Sequence, residues 1–226
     1  MTEGIAIIDK PSGMTSHDVV ARVRRILKIK RVGHAGTLDP LATGVLVILV
    51  GKSTRLFDKF VAFDKAYSAT MQLGLKTSSA DINGEVLSTR PYEKVSRDML
   101  EEAFKSFTGS IFQVPPMVSA VKHNGERLYK LARKGVAVER APRSVRIDRL
   151  ELLNFQSPFA EFILECSKGT YVRQVAEDVG ELLGCGACIT QIRRIKVGPF
   201  SIDKAVKLED FNAGVLRDWP VGQNPA

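Results

Sequence analysis

One stretch, Arg31-Val-Gly-His-Ala-Gly-Thr-Leu-Asp-Pro-Leu-Ala-Thr-Gly44, gathers the groups best suited to chemistry: His34, the carboxylate of Asp39 and three glycines. Pro40 follows Asp39 and biases it towards an extended backbone. Gly33, Gly36 and Gly44 allow another backbone to come close. A carboxylate held in such a loop can act as nucleophile, general base or metal ligand, or can simply close an Asx turn. Metal binding is poorly supported, because no second acidic residue stands nearby in sequence. A Ser-His-Asp triad lacks its G-x-S-x-G elbow, and Cys-His catalysis lacks a suitable pair. Glycoside hydrolysis by paired carboxylates stays open on the residues alone.

Two other patterns fail on inspection. Gly51-Lys-Ser-Thr54 looks like the tail of a phosphate-binding P-loop, but that motif needs a glycine where Leu46 stands inside an apolar run. Cys185 and Cys188 form a C-x-x-C with no second ligand pair for zinc. They follow the end of a predicted helix, where a redox pair would open one. They read as small buried or loop cysteines of a reducing compartment.

The elements that must position the loop follow from periodicity. Residues 4–9 predict a short buried strand, and Lys10-Pro-Ser-Gly13 a turn. Thr15 or Ser16 caps a helix with Val19, Val20, Val23, Ile26 and Leu27 on one face. Arg22, Arg24, Arg25, Lys28, Lys30 and Arg31 take the rest, either as a solvated face or as a phosphate-contacting one. Residues 45–50 predict a strand buried on both faces, followed by a helix from Gly51 to about Phe63. Residues 65–74 predict a strand with Tyr67 near its start. Ser96 caps a helix whose stripe of Met99, Leu100, Ala103, Phe104 and Phe107 reads as core. A cation-rich segment at about 114–142 reads as a projecting arm. A hairpin over 146–155 and 159–167, a helix over 171–183 with Tyr171 and Arg173 in its first turn, and a last strand over 189–197 carrying Arg193 and Arg194 complete the chain.

At 226 residues with 44% hydrophobic and 26% charged content, the chain can bury a substantial core. The net charge of +8, from 33 basic and 25 acidic residues, suits a polyanionic partner such as nucleic acid, and equally a merely basic, well-solvated surface. No apolar run is long enough to span a membrane, and the amino terminus has no signal-peptide pattern. Residues alone therefore give a basic protein with a carboxylate loop that binds nucleic acid.

Gly33-His-Ala-Gly-Thr-Leu-Asp-Pro-Leu-Ala-Thr-Gly44 closely resembles the catalytic motif of the TruB-type tRNA pseudouridine synthases, which make pseudouridine 55 in the T-loop. Asp9-Lys-Pro-Ser-Gly13, Lys65-Ala-Tyr67, Gln113-Val-Pro-Pro-Met-Val-Ser-Ala-Val-Lys122, Cys166-Ser-Lys-Gly-Thr-Tyr-Val-Arg173 and Arg193-Arg194 follow the family order. The resemblance implies that Asp39 is the nucleophile, that Tyr67 packs on the flipped uracil as a proton-transfer candidate, and that Arg173 pairs with the catalytic carboxylate. It implies that His34 enters the T-loop stack as uridine leaves, that Tyr171 and Ile192 line the uridine pocket, and that Lys10 matches a substrate-binding lysine.

The expected fold is α/β of the α+β type: a mixed, largely antiparallel sheet flanked by helices. A single catalytic domain is expected over 1–226, with an RNA-binding arm at about 114–142. The carboxy-terminal RNA-binding domain of longer members is not expected. The expected partner is the T-arm of tRNA, without guide RNA or membrane, for a cytoplasmic monomer. The isomerisation has no redox or hydrolytic step, so no cofactor or metal is expected. An RNA-binding or tRNA-folding module with dispensable catalysis is the alternative.

Overall fold

The computed structural model describes residues 3–119, 121–123 and 125–219. Ala120 and Asn124 of the arm, and the tail beyond Trp219, lie outside the described residues. In chain order come β1 (Gly4–Lys10), α1 (Ser16–Leu27), β2 (Val32–Ala35), β3 (Thr43–Val50), α2 (Phe57–Ala62), β4 (Lys65–Leu73), β5 (Leu75–Thr77), β6 (Val86–Thr89) and α3 (Arg97–Ser106). They are followed by β7 (Gly109–Gln113), β8 (Lys122–His123), β9 (Glu126–Arg127), α4 (Leu128–Arg133), β10 (Arg143–Gln156), β11 (Phe159–Cys166), α5 (Val172–Leu182), β12 (Ala187–Val197), β13 (Phe200–Ser201) and β14 (Val206–Lys207). The result is the mixed α/β fold with a large, mostly antiparallel sheet that the sequence predicts.

The described chain divides into two compact units. Unit 1 runs to Ser68 and resumes at Ile192; unit 2 is Ala69–Gln191. Unit 1 is built on β3, which pairs antiparallel with β1 and β2 and parallel with β12 at Thr43 and Gly44. Every residue of β3 from Gly44 to Val50 is buried. Leu46, Ile48 and Val50 join Ala6, Ile8 and the α1 valines in one apolar cluster. Val45, Val47 and Leu49 join Ile5, Ile7, Phe60 and Phe63 in another. Alternation of side chains between two covered faces explains why this strand reads as an unbroken apolar run.

Helix α1 starts on a capping box: Thr15 Oγ1 accepts from the Asp18 amide at 3.1 Å, and the Asp18 carboxylate accepts from the Thr15 amide at 2.8 Å. In unit 2, β10 pairs antiparallel with β11 and with β7. Helix α3 buries Leu100, Ala103 and Phe104, and the Phe104 ring meets Phe162 edge-on at 5.6 Å.

Several expectations need correction. Val32–Ala35, read as loop, is a strand on β3; its four residues and internal glycine hide it from any periodicity test. The helix expected from Gly51 begins as a 3₁₀ segment, Gly51–Leu56, before α2. Met99 is 45% exposed rather than core, because it lies about 100° round the helix from Leu100 and away from the buried face. The strand over 187–197 is not the last: β13 turns back on it, and β14 pairs parallel with β1. Among the described residues no helix is long and apolar enough to cross a membrane.

Candidate active site

The loop that carries Asp39 is pinned through its main chain. Ser16 Oγ donates to the Leu38 carbonyl at 3.1 Å and accepts from the Leu38 amide at 2.9 Å. The Gly13 amide donates to the Pro40 carbonyl at 2.9 Å, and Ser12 Oγ to the Leu41 carbonyl at 3.3 Å. The turn after β1 and the first turn of α1 thus hold one side of the loop. Asp39 itself is half-buried, while Leu38 and Ala42 on either side anchor in the core.

Two buried cations flank it. Lys10 has no accessible surface, and its ammonium donates to the carbonyls of Pro11 (2.8 Å), Met14 (2.6 Å) and Pro40 (3.4 Å). Burial pulls its pKa down to about 8, against the opposing pull of Asp39; Arg194 adds to the depression. Arg194, 1% exposed, donates from Nε to the Val45 carbonyl (2.7 Å) and from Nη2 to the Gly36 carbonyl (2.9 Å). Burial lowers its pKa, while Tyr67, to whose hydroxyl it is hydrogen-bonded, and Asp39 hold it up. A guanidinium stays charged under such pressure.

The glycines serve this arrangement. At Gly44 (φ +98°) a Cβ would sit 2.2 Å from the Arg194 carbonyl oxygen, so only glycine lets β3 and β12 meet here. At Gly36 the backbone itself calls for glycine (φ +79°), and a Cβ there would only touch the Arg194 guanidinium, at 3.4 Å. Next to it, Arg193 makes a two-pronged pair with Asp9 at 3.1 and 2.8 Å.

Unit 1 therefore brings Lys10, Asp39 and Tyr67 together around Arg194. Tyr67 is 8% exposed on β4. His34 stands on β2, half-buried, with the exposed His17 ring edge-on at 5.2 Å. Ile192, half-buried on β12, packs against the same cluster as Leu38.

The other two predicted site residues belong to unit 2. Arg173, 4% exposed in the first turn of α5, donates to the carbonyls of Ser79 and of Val118 (2.9 Å), and its Nε lies 3.7 Å from Asp81 Oδ2. A cation is disfavoured at a helix start, and the buried Asp81 carboxylate compensates for that. Tyr171 caps α5, with both of its main-chain groups bonded to the Gln113 side chain.

Sequence reasoning assigned no role to Arg194 or Asp81. The Arg193-Arg194 pair was visible, but nothing in it says which arginine turns inward; the signal was the demand for glycine at both 36 and 44. Asp81 stands in a polar stretch just before Asn83-Gly84, where an Asx turn is the ordinary expectation for an aspartate. It does make that turn, accepting from Ser79 Oγ (2.8 Å) and the Asn83 amide (3.1 Å), while also facing Arg173. Cys166, Cys185 and Cys188 are buried and form no disulfide, and burial pushes Cys188 to about 11. Such thiols are poor nucleophiles and metal ligands. Among the described residues no group of three or more His, Cys, Asp or Glu is arranged to hold a metal.

The chain that carries this loop has relatives among known proteins. The model of the TruB family pseudouridylate synthase N-terminal domain matches residues 24–172, and that of the tRNA pseudouridylate synthase B C-terminal domain matches 173–218. The chain belongs to the TruB family. A tRNA pseudouridine synthase B of Opitutus terrae is 47% identical over 211 residues, covering 93% of this chain and 88% of that one. One from Stutzerimonas stutzeri is 49% identical over 206 residues, covering 91% and 67%. In the crystal structure of a Cbf5-Nop10-Gar1 complex, a chain 31% identical superposes with a TM-score of 0.73 over 92% of this chain. This TruB-family chain spans 53% of that longer one.

Proposed function

We propose that this protein isomerises uridine to pseudouridine in the T-loop of tRNA, at position 55, with Asp39 as nucleophile. The observation that carries the reading is the half-buried Asp39 in a loop fixed by its main chain, beside the buried Lys10 and Arg194 and the Tyr67 ring, in a TruB-family chain. Uridine in a folded loop must leave its stack before its glycosidic bond is accessible, at roughly a few kcal/mol. His34 offsets part of that cost by filling the vacated place. Asp39 then attacks the nucleotide, the N-glycosidic bond breaks and the held uracil turns over; C5 joins the ribose as the bond to Asp39 is released, and the C5 proton leaves while N1 takes one up. Tyr67 packs on the uracil, Tyr171 and Ile192 line its pocket, and Arg173 is the arginine of the same reaction. Lys10 serves substrate binding by fixing the loop and keeping a cation close to Asp39.

The reading includes one catalytic domain whose arm, about 114–142, closes over the RNA. It includes a cytoplasmic monomer working without guide RNA, metal or cofactor. Relatives named tRNA pseudouridine synthase B are 47–49% identical, against 31% for the Cbf5 complex, which favours the stand-alone mode.

The test is tritium release from 5-tritiated uridine in a T-arm stem-loop. Release with wild-type protein, together with slower amide exchange in the arm when RNA is added, is the expected result. RNA bound without release would favour the folding-module alternative, and an arm whose exchange ignores RNA does not close.

Lys10 gives this site a pH signature. Its ordinary pKa of 10.5 falls to about 8 in the folded chain, so between those values the unfolded chain holds a proton that the folded one has released. Stability from this group accordingly rises with pH through that window, and the cost of burying the charge is fully present below about 8. Activity runs the other way. The single-turnover rate on saturating RNA is expected to fall by about tenfold as pH rises through 8 and the cation beside Asp39 is lost. Lys10→Met should be slow at neutral pH and lack this limb, and a variant profile that keeps it would assign the limb elsewhere.

A further inference from the structure

Within unit 2 the arm begins and ends at a neck formed by Gln113, the last residue of β7, and Arg143, its partner at the start of β10. The Gln113 side chain is 2% exposed and turns inward. Its Nε2 donates to the Tyr171 carbonyl at 3.1 Å, and its Oε1 accepts from the Tyr171 amide at 2.8 Å. One side-chain amide thus pairs with both polar groups of one residue, as a neighbouring strand would. The same Tyr171 carbonyl accepts the first helical bond of α5, from the Val175 amide at 3.1 Å. Tyr171 makes no side-chain cap of its own, so Gln113 fixes where the helix begins. Arg173 lies two residues on, and one of its donors ends on the Val118 carbonyl within the arm. The start of α5 is therefore tied to the arm at its neck and again along its backbone.

We infer that Gln113 is a positioning residue through which the neck of the RNA-binding arm sets Tyr171 and Arg173 for the reaction. The inference rests on the functional reading above for what Arg173 does, but the tether itself is geometric. When the arm moves, the peptide of Tyr171 moves with it, and the first turn of α5 carries the guanidinium along.

Two variants test this. Gln113→Leu removes both bonds. Gln113→Glu keeps the acceptor for the Tyr171 amide but sets an oxygen against the Tyr171 carbonyl, and it decides the matter if the leucine variant does not fold. Each is expected to slow single-turnover pseudouridine formation on saturating T-arm RNA by roughly 10- to 100-fold, the scale that a displacement of about 1 Å brings. RNA affinity should stay within about twofold, since neither change touches the exposed cations. Placed on Arg173→Lys, either change should cost little more, because residues acting through one another are not additive. Losses that multiply in the double variant, or wild-type rates in Gln113→Glu, would overturn the proposal. The Tyr171 amide gives a readout independent of activity and should exchange faster in Gln113→Leu. If wild-type protein forms no pseudouridine, the functional reading fails and that amide alone decides the tether: unchanged exchange would refute it.

Discussion

Asp39→Ala is expected to lower tritium release from T-arm RNA by at least about 10⁴-fold, because no other group on the loop can form the covalent bond that divides the reaction into two accessible steps. Asp39→Asn, which keeps the shape and removes the charge, should lose nearly as much. The fold should survive both changes. The contacts that pin the loop run to the main chain of Leu38, Pro40 and Leu41, and Leu38 and Ala42 anchor it in the core. The carboxylate opposes the desolvation of Lys10 and Arg194, however, so unfolding free energy should fall by about 1–3 kcal/mol while the chain stays folded. RNA should still bind, since the exposed cations of α1 remain. A variant that binds RNA, stays folded at the assay temperature and still releases tritium at more than about 1% of the wild-type rate would remove Asp39 from the role of nucleophile.

Arg194→Lys is expected to have the second largest effect, on both stability and rate. The guanidinium serves the Val45 and Gly36 carbonyls and Tyr67 in a fixed fork, while lysine brings one mobile ammonium to the same space. At least one buried carbonyl loses its partner, at about 1–3 kcal/mol in urea denaturation. Gly36 and Tyr67 are then held less firmly relative to Asp39, so single-turnover rates should fall by roughly 100-fold at unchanged RNA affinity. Arg194→Met, which leaves every acceptor unpaired, should be worse in both measurements. A lysine variant as stable and fast as wild type would reduce Arg194 to a space-filling cation.

The difference between legible and hidden features is physical. The β3 run and the α1 cap were readable because local periodicity and one cap residue determine them. The Asp39 loop was readable because its glycines and Asp-Pro step mark a backbone that must admit something close. What remained hidden depends on pairing between distant residues. Val32–Ala35 becomes a strand only because β3 offers it an edge, and Met99 faces outward only because the packed face of α3 is centred on Leu100 and Phe104. Arginine is ordinarily a surface residue, so Arg194 could be assigned inward only once the parallel register set it opposite Gly44. Asp81 gained a second duty only when folding brought it to Arg173.

The burial of Lys10 and Arg194 separates two jobs that one kind of residue performs in this chain. Cations on the outer face of α1 stand in solvent, where dissolved ions would compete for any phosphate they meet and weaken the encounter as ionic strength rises. Lys10 and Arg194 are held behind protein, on carbonyls, where those ions do not reach. Salt therefore governs how often RNA arrives, while the positive potential beside Asp39 is fixed by the fold before any RNA is present.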